Sequence, residues 1–122
     1  MKTFLTFIFI SFSTLFLNAQ DANTAICNSK SSLVKGIESG IIEITLPQSA
    51  TKESVDKYAG YYKNAFTVNF DEKSHIVNIK MVENTSSNRR VILRFLTANQ
   101  VQNVIVEDKS FLISDFYENF LK

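Results

Sequence analysis

The 122-residue chain has one cysteine, one histidine and one proline. A single thiol, Cys27, excludes an intramolecular disulfide, so the fold has to be held by its apolar core. One Cys and one His also fall short of the roughly four ligands that a structural zinc site uses. As a nucleophile pair, Cys27 and His75 have no third, orienting group in a recognisable pattern, and no catalytic constellation assembles around them. Excess charge is missing too. There are 13 Lys and Arg against 12 Asp and Glu, with no like-charge run longer than two residues. So balanced a chain has no electrostatic footprint for nucleic acid or for anionic lipid.

One long uncharged run is present, residues 4–17 (FLTFIFISFSTLFL), directly after Lys2. At roughly fourteen residues it matches the apolar region of a signal peptide and is short of the roughly twenty a membrane-spanning helix needs. It ends at Asn18-Ala19-Gln20, where Ala19 supplies the small residue required at the scissile bond. The expectation is cleavage between Ala19 and Gln20, a secreted or periplasmic product, and no stable membrane span afterwards. Without Lys2, that product carries twelve charges of each sign. Cys27 lies ten residues beyond Leu17 and follows Thr24-Ala25-Ile26, the wrong place and context for lipid attachment. It reads instead as a small thiol near the start of the mature chain.

Residues 20–40 are polar and rich in small side chains, with Gly36 and Gly40 as punctuation, and read as a flexible N-terminal leader. The domain is expected over 41–122. Ile42, Ile44 and Leu46 alternate with Glu43 and Thr45 as in a half-buried strand, which Pro47 stops. Thr51 stands as an N-cap before a stripe of Val55, Tyr58, Ala59 and Tyr62, the strongest helix signature in the chain. Phe66, Val68 and Phe70, then Val77, Ile79 and Met81, alternate on either side of a polar turn, as in a β-hairpin. Val91, Ile92, Phe95 and Leu96 mark a second helix, and residues 101–107 a last strand. Ser110 then precedes a wide apolar stripe of Leu112, Ile113, Phe116, Tyr117, Phe120 and Leu121, which predicts a C-terminal helix.

Strand, helix, strand, strand, helix, strand is the split βαβ order, so the expected fold is α+β and ferredoxin-like. It has a four-stranded antiparallel sheet with helices on one face, plus the extra C-terminal helix. By this order over residues 41–107, and in the hairpin from Val68-Asn69-Phe70-Asp71 to Val77-Asn78-Ile79, the chain resembles the heavy-metal-associated domain family of ferredoxin-like copper chaperones. That family holds its metal in an M-x-C-x-x-C loop between the first strand and the first helix. The matching loop here, Leu46-Pro47-Gln48-Ser49-Ala50-Thr51-Lys52-Glu53, has no thiol to serve a soft metal. The resemblance therefore implies the fold without the metal or any other cofactor.

Arg89, Arg90 and Arg94 form a local positive cluster on the second predicted helix, and the last two, one turn apart, have the spacing to clasp a carboxylate or phosphate of a partner. Asn84-Thr85-Ser86 matches a glycosylation sequon. The outward face of the hairpin carries Thr67, Asn69, Ile76, Asn78 and Lys80, which offer no aromatic platform for stacking bases. Among the tyrosines only Tyr61 is free of the buried helix stripe. Together these features point to an exported, non-enzymatic binding module whose partner is an envelope or extracellular protein. The alternative they leave open is an envelope metal-handling protein with a degenerate site.

Overall fold

A strand sends alternate side chains to opposite faces, so strands that bury every second residue must share one covered face. The computed structural model describes residues 22–122, and there the chain runs β1 (Thr24–Cys27), α1 (Lys30–Ser39), β2 (Ile41–Thr45), α2 (Lys52–Tyr61), β3 (Phe66–Asp71), β4 (Ile76–Met81), α3 (Ser86–Ala98), β5 (Asn103–Val106), β6 (Lys109–Leu112) and α4 (Ile113–Phe116). The last continues as a π-helical turn over Tyr117–Leu121. The apolar run at 4–17 and the Ala19–Gln20 junction lie outside the described residues. No helix among the described residues is long and apolar enough to cross a membrane.

All six strands join one sheet in the order β3-β4-β2-β1-β5-β6. β1 runs parallel to β5 and every other neighbouring pair is antiparallel. This overturns the four-stranded antiparallel ferredoxin-like sheet expected from element order. The strand that separates β2 from β5 comes from residues read as flexible leader. Within 20–40, β1 places Ala25 and Cys27 in the core beside Val104 and Val106, and α1 adds Leu33. Small side chains suit β1 to a central position, since they let the covering layer approach closely.

Register brings Ile42 beside Ile79, Ile44 beside Val77, and Phe66 beside Met81, all buried on the same face. Against that face pack Val55 from α2, Ile92, Phe95 and Leu96 from α3, and Phe116 and Leu121 from the C-terminal segment. α2 starts where Thr51 predicts. The Thr51 hydroxyl accepts from the Ser54 N–H, and the Ser54 hydroxyl accepts from the Thr51 N–H. Ser54 also donates to the Asn99 side-chain carbonyl at 2.9 Å, and the Asn99 amide donates to the Phe95 carbonyl at 3.0 Å. Asn99 is thus a buried polar residue with partners for its side chain, tying the start of α2 to the end of α3.

The C-terminal stripe docks, although its first turn differs from expectation. Ser110 belongs to β6 and caps nothing, Leu112 is 60 % exposed, and the helix begins at Ile113. Pairing with β5 wins over helix capping here because Lys109 and Phe111 match Val106 and Val104 in register. Phe111 meets Phe120 edge-on at 5.2 Å, which seats the segment over the sheet edge.

Candidate binding face

Helices and the C-terminal segment cover one face of the sheet, and the opposite face has no buried side chain. Register draws one continuous row across that open face through all six strands: Asp71, Ile76, Thr45, Ile26, Ile105 and Ser110. Its centre is three isoleucines and a threonine, all half-buried, while Asp71 and Ser110 at the two ends are exposed. The row beside it is polar and exposed, with Asn69, Asn78 and Glu43. Ile41, at the start of β2, and Leu112, at the end of β6, add exposed apolar surface to the same face.

The sheet parts at the middle of this face. β1 and β2 share one register pair, Ile26 with Thr45, whereas β2 and β4 share five. Beyond Ile26 the chain turns into α1, and a cleft of about 280 Å³ opens between the strands. Ile26, Thr45 and Ile76 of the apolar row line it, with Glu43 and Asn78 at the polar side and Ser29 and Ser32 at the start of α1. That helix start already has its partners. The Ser29 hydroxyl accepts from the Ser32 N–H at 3.3 Å, and the Glu107 carboxylate accepts from the Lys30 N–H at 3.3 Å. The cleft therefore offers hydroxyl, amide and carboxylate groups around an apolar strip, a lining suited to the mixed surface of another chain.

Comparison with protein-family models, with curated proteins and with solved structures finds no match.

The three arginines have different surroundings. Arg89 donates through Nε to the Leu121 carbonyl at 2.6 Å and through Nη1 to the Asn84 side-chain carbonyl at 2.7 Å. It holds the end of the chain in place. Arg90 lies over the Tyr117 ring at 5.7 Å, while Arg94 is exposed. Asn84, the sequon residue, donates to the Ile37 and Glu38 carbonyls at 2.8 and 3.3 Å, so its amide is engaged at the end of α1. His75 sits at the β3–β4 turn with φ of 59°, its ring edge-on to Phe70 at 5.5 Å. Strand β2 separates it from Cys27 on β1. Among the described residues no three His, Cys, Asp or Glu side chains converge as metal ligands.

Cys27 is 4 % exposed, and burial pushes its thiol from 9.0 up to about 12. A thiol held neutral is a poor nucleophile and a poor soft-metal ligand. It also sets a pH dependence. Raising the folded-state value favours the protonated thiol in the fold, so its stabilising effect is whole below pH 9.0 and is lost as pH rises through about 12. In this window the stability of the wild type should fall more steeply than that of Cys27→Ala, by up to about 1.4 kcal/mol per pH unit, when both are denatured chemically. Parallel pH profiles for the two proteins would show that the thiol is not buried in solution.

Proposed function

We propose that this chain is an exported, non-enzymatic binding module that recognises an envelope or extracellular protein with the uncovered face of its sheet. The observation that carries the reading is the row of Ile76, Thr45, Ile26 and Ile105 across a largely polar face, with a cleft at its centre. Half-buried isoleucines and a threonine in register on four neighbouring strands make a strip that a partner can dehydrate, and the polar row of Asn69, Asn78 and Glu43 beside it supplies a rim. Residues 4–17 and the Ala19–Gln20 junction supply the route out of the cytoplasm.

Two measurements test this. The intact mass of the exported form should begin at Gln20, and full-length protein held in the membrane fraction would contradict export. The mature chain is then used as bait in envelope extract beside the double variant Ile76→Thr, Ile105→Thr, which keeps β-branched side chains on both strands. The partner should be depleted by about tenfold or more on the double variant and retained by Arg94→Ala. Equal capture by all three would remove the open face as the site.

A further inference from the structure

The sheet has two edges, and they differ in how well they are protected. β6 is four residues long, begins with Lys109 and runs straight into α4, so little of it can be extended by another strand. β3 is six residues long, paired to β4 along its whole length, and contains neither proline, lysine nor glycine. The Val82 N–H donates to the Ala65 carbonyl, which sets the phase of the ladder: Ala65, Thr67, Asn69 and Asp71 direct their main-chain groups to β4. Phe66, Val68 and Phe70 direct theirs outward. The Phe66 N–H turns back to the Tyr62 carbonyl, while the N–H and C=O of Val68 and Phe70 have no partner among the described residues.

We infer that β3 pairs with β3 of a second copy, antiparallel about a two-fold axis at Val68, to give one twelve-stranded sheet. The segment Phe66-Thr67-Val68-Asn69-Phe70 is close to a chemical palindrome. Antiparallel pairing at Val68 sets Val against Val, Phe66 against Phe70 and Thr67 against Asn69, the last pair free to hydrogen-bond on the open face. It closes four main-chain hydrogen bonds: Val68 N–H to Val68 C=O and Phe70 N–H to Phe66 C=O, each made twice. No like charges oppose one another within the paired strands. The same edge also carries the most exposed aromatic residue among those described. Phe66 stacks on Tyr62 at 6.2 Å, Tyr62 meets Tyr61 at 6.4 Å, and Tyr61 is 67 % exposed where β3 begins. Two-fold pairing of β3 brings α2 and its tyrosines alongside their copies, which enlarges the contact beyond the strand itself. Isologous pairing closes at two copies, whereas pairing β3 to β6 would propagate without end.

Sedimentation over a wide concentration range should show a reversible dimer of the mature chain. Val68→Pro removes the outward N–H at an edge position that tolerates proline, and should be monomeric with an unchanged far-UV spectrum. A second pair of variants does not rely on proline being accommodated. T67K/N69K sets lysine against lysine on the exposed face and should raise the dimer dissociation constant roughly tenfold or more, as should T67E/N69E. Mixing the two should restore association as a heterodimer, since only antiparallel pairing of β3 with β3 sets these positions opposite each other. Ser110→Pro on β6 should leave the dimer intact. A wild type that is monomeric throughout, a T67K/N69K variant as dimeric as the wild type, or a dimer abolished by Ser110→Pro would each overturn the inference.

Discussion

Phe116→Ala is expected to lower stability by about 3–5 kcal/mol, a large part of the roughly 5–15 kcal/mol available to a domain of this size. Phe116 is fully buried, in contact with Phe120 at 5.7 Å, and the carbonyl of nearby Leu121 is held by Arg89. Truncating the ring removes its transfer energy and leaves a void that the sheet below cannot close, because strand spacing is fixed by main-chain hydrogen bonds. Glu118 on the same segment is the control. Its carboxylate meets Lys122 at 3.2 Å with both side chains more than half exposed, so Glu118→Ala should cost under about 0.5 kcal/mol. Chemical denaturation compares the two. Equal midpoints would mean that the C-terminal segment does not dock on the sheet.

Gly36→Ala should also destabilise, by about 1–3 kcal/mol, against the usual direction for that change inside a helix. A Cβ at Gly36 would lie 2.6 Å from the Ile41 carbonyl oxygen, a main-chain atom that cannot swing aside. Either α1 lifts from β2 or the start of β2 shifts, and the pairing of Ile41 with Lys80 goes with it. Gly60 in α2 is the contrasting case, since a Cβ there would meet nothing within 4 Å. Gly60→Ala should stabilise by about 0.4–1 kcal/mol through the unfolded chain. Thermal melts of both variants should therefore move in opposite directions. A Gly36→Ala protein as stable as Gly60→Ala would show that α1 is not in close contact with β2.

The same glycine shows what local pattern can and cannot convey. Strands β2, β3 and β4 and helix α2 are legible because alternation, a helical stripe and the Thr51 cap each report a local periodicity. β1 is four residues, Thr-Ala-Ile-Cys, whose buried positions are Ala25 and Cys27, and small side chains leave no strong apolar signal. The polar residues that follow look like a linker but include Ser29, the cap of α1, and its exposed first turn. Gly36 reads as punctuation, although it sits within a helix where the Ile41 carbonyl, five residues on, leaves no room for a Cβ. The contact between β1 and β5 is made by residues at opposite ends of the domain, and periodicity carries no information about such pairing. Without β1 the centre of the open face is hidden as well. Alternation alone places Ile76, Thr67, Asn69, Asn78 and Lys80 on it, while Ile26 and Ile105 join the row only once β1 and β5 are known to be neighbours. Adjacency of the three arginines in sequence likewise does not reveal that Arg89 reaches the Leu121 carbonyl.

The position of β1 has a kinetic consequence. Thr24 at one end of the domain pairs with Asn103 near the other, and the strand so placed lies at the middle of the sheet. Until β5 has been synthesised, β1 lacks its parallel neighbour and has one register pair with β2. The three-stranded unit of β3, β4 and β2 can assemble early from contacts close in sequence, but joining it to β5 and β6 must wait for nearly the whole chain. The slowest step of folding should therefore be closure of the two halves of the sheet around its first strand.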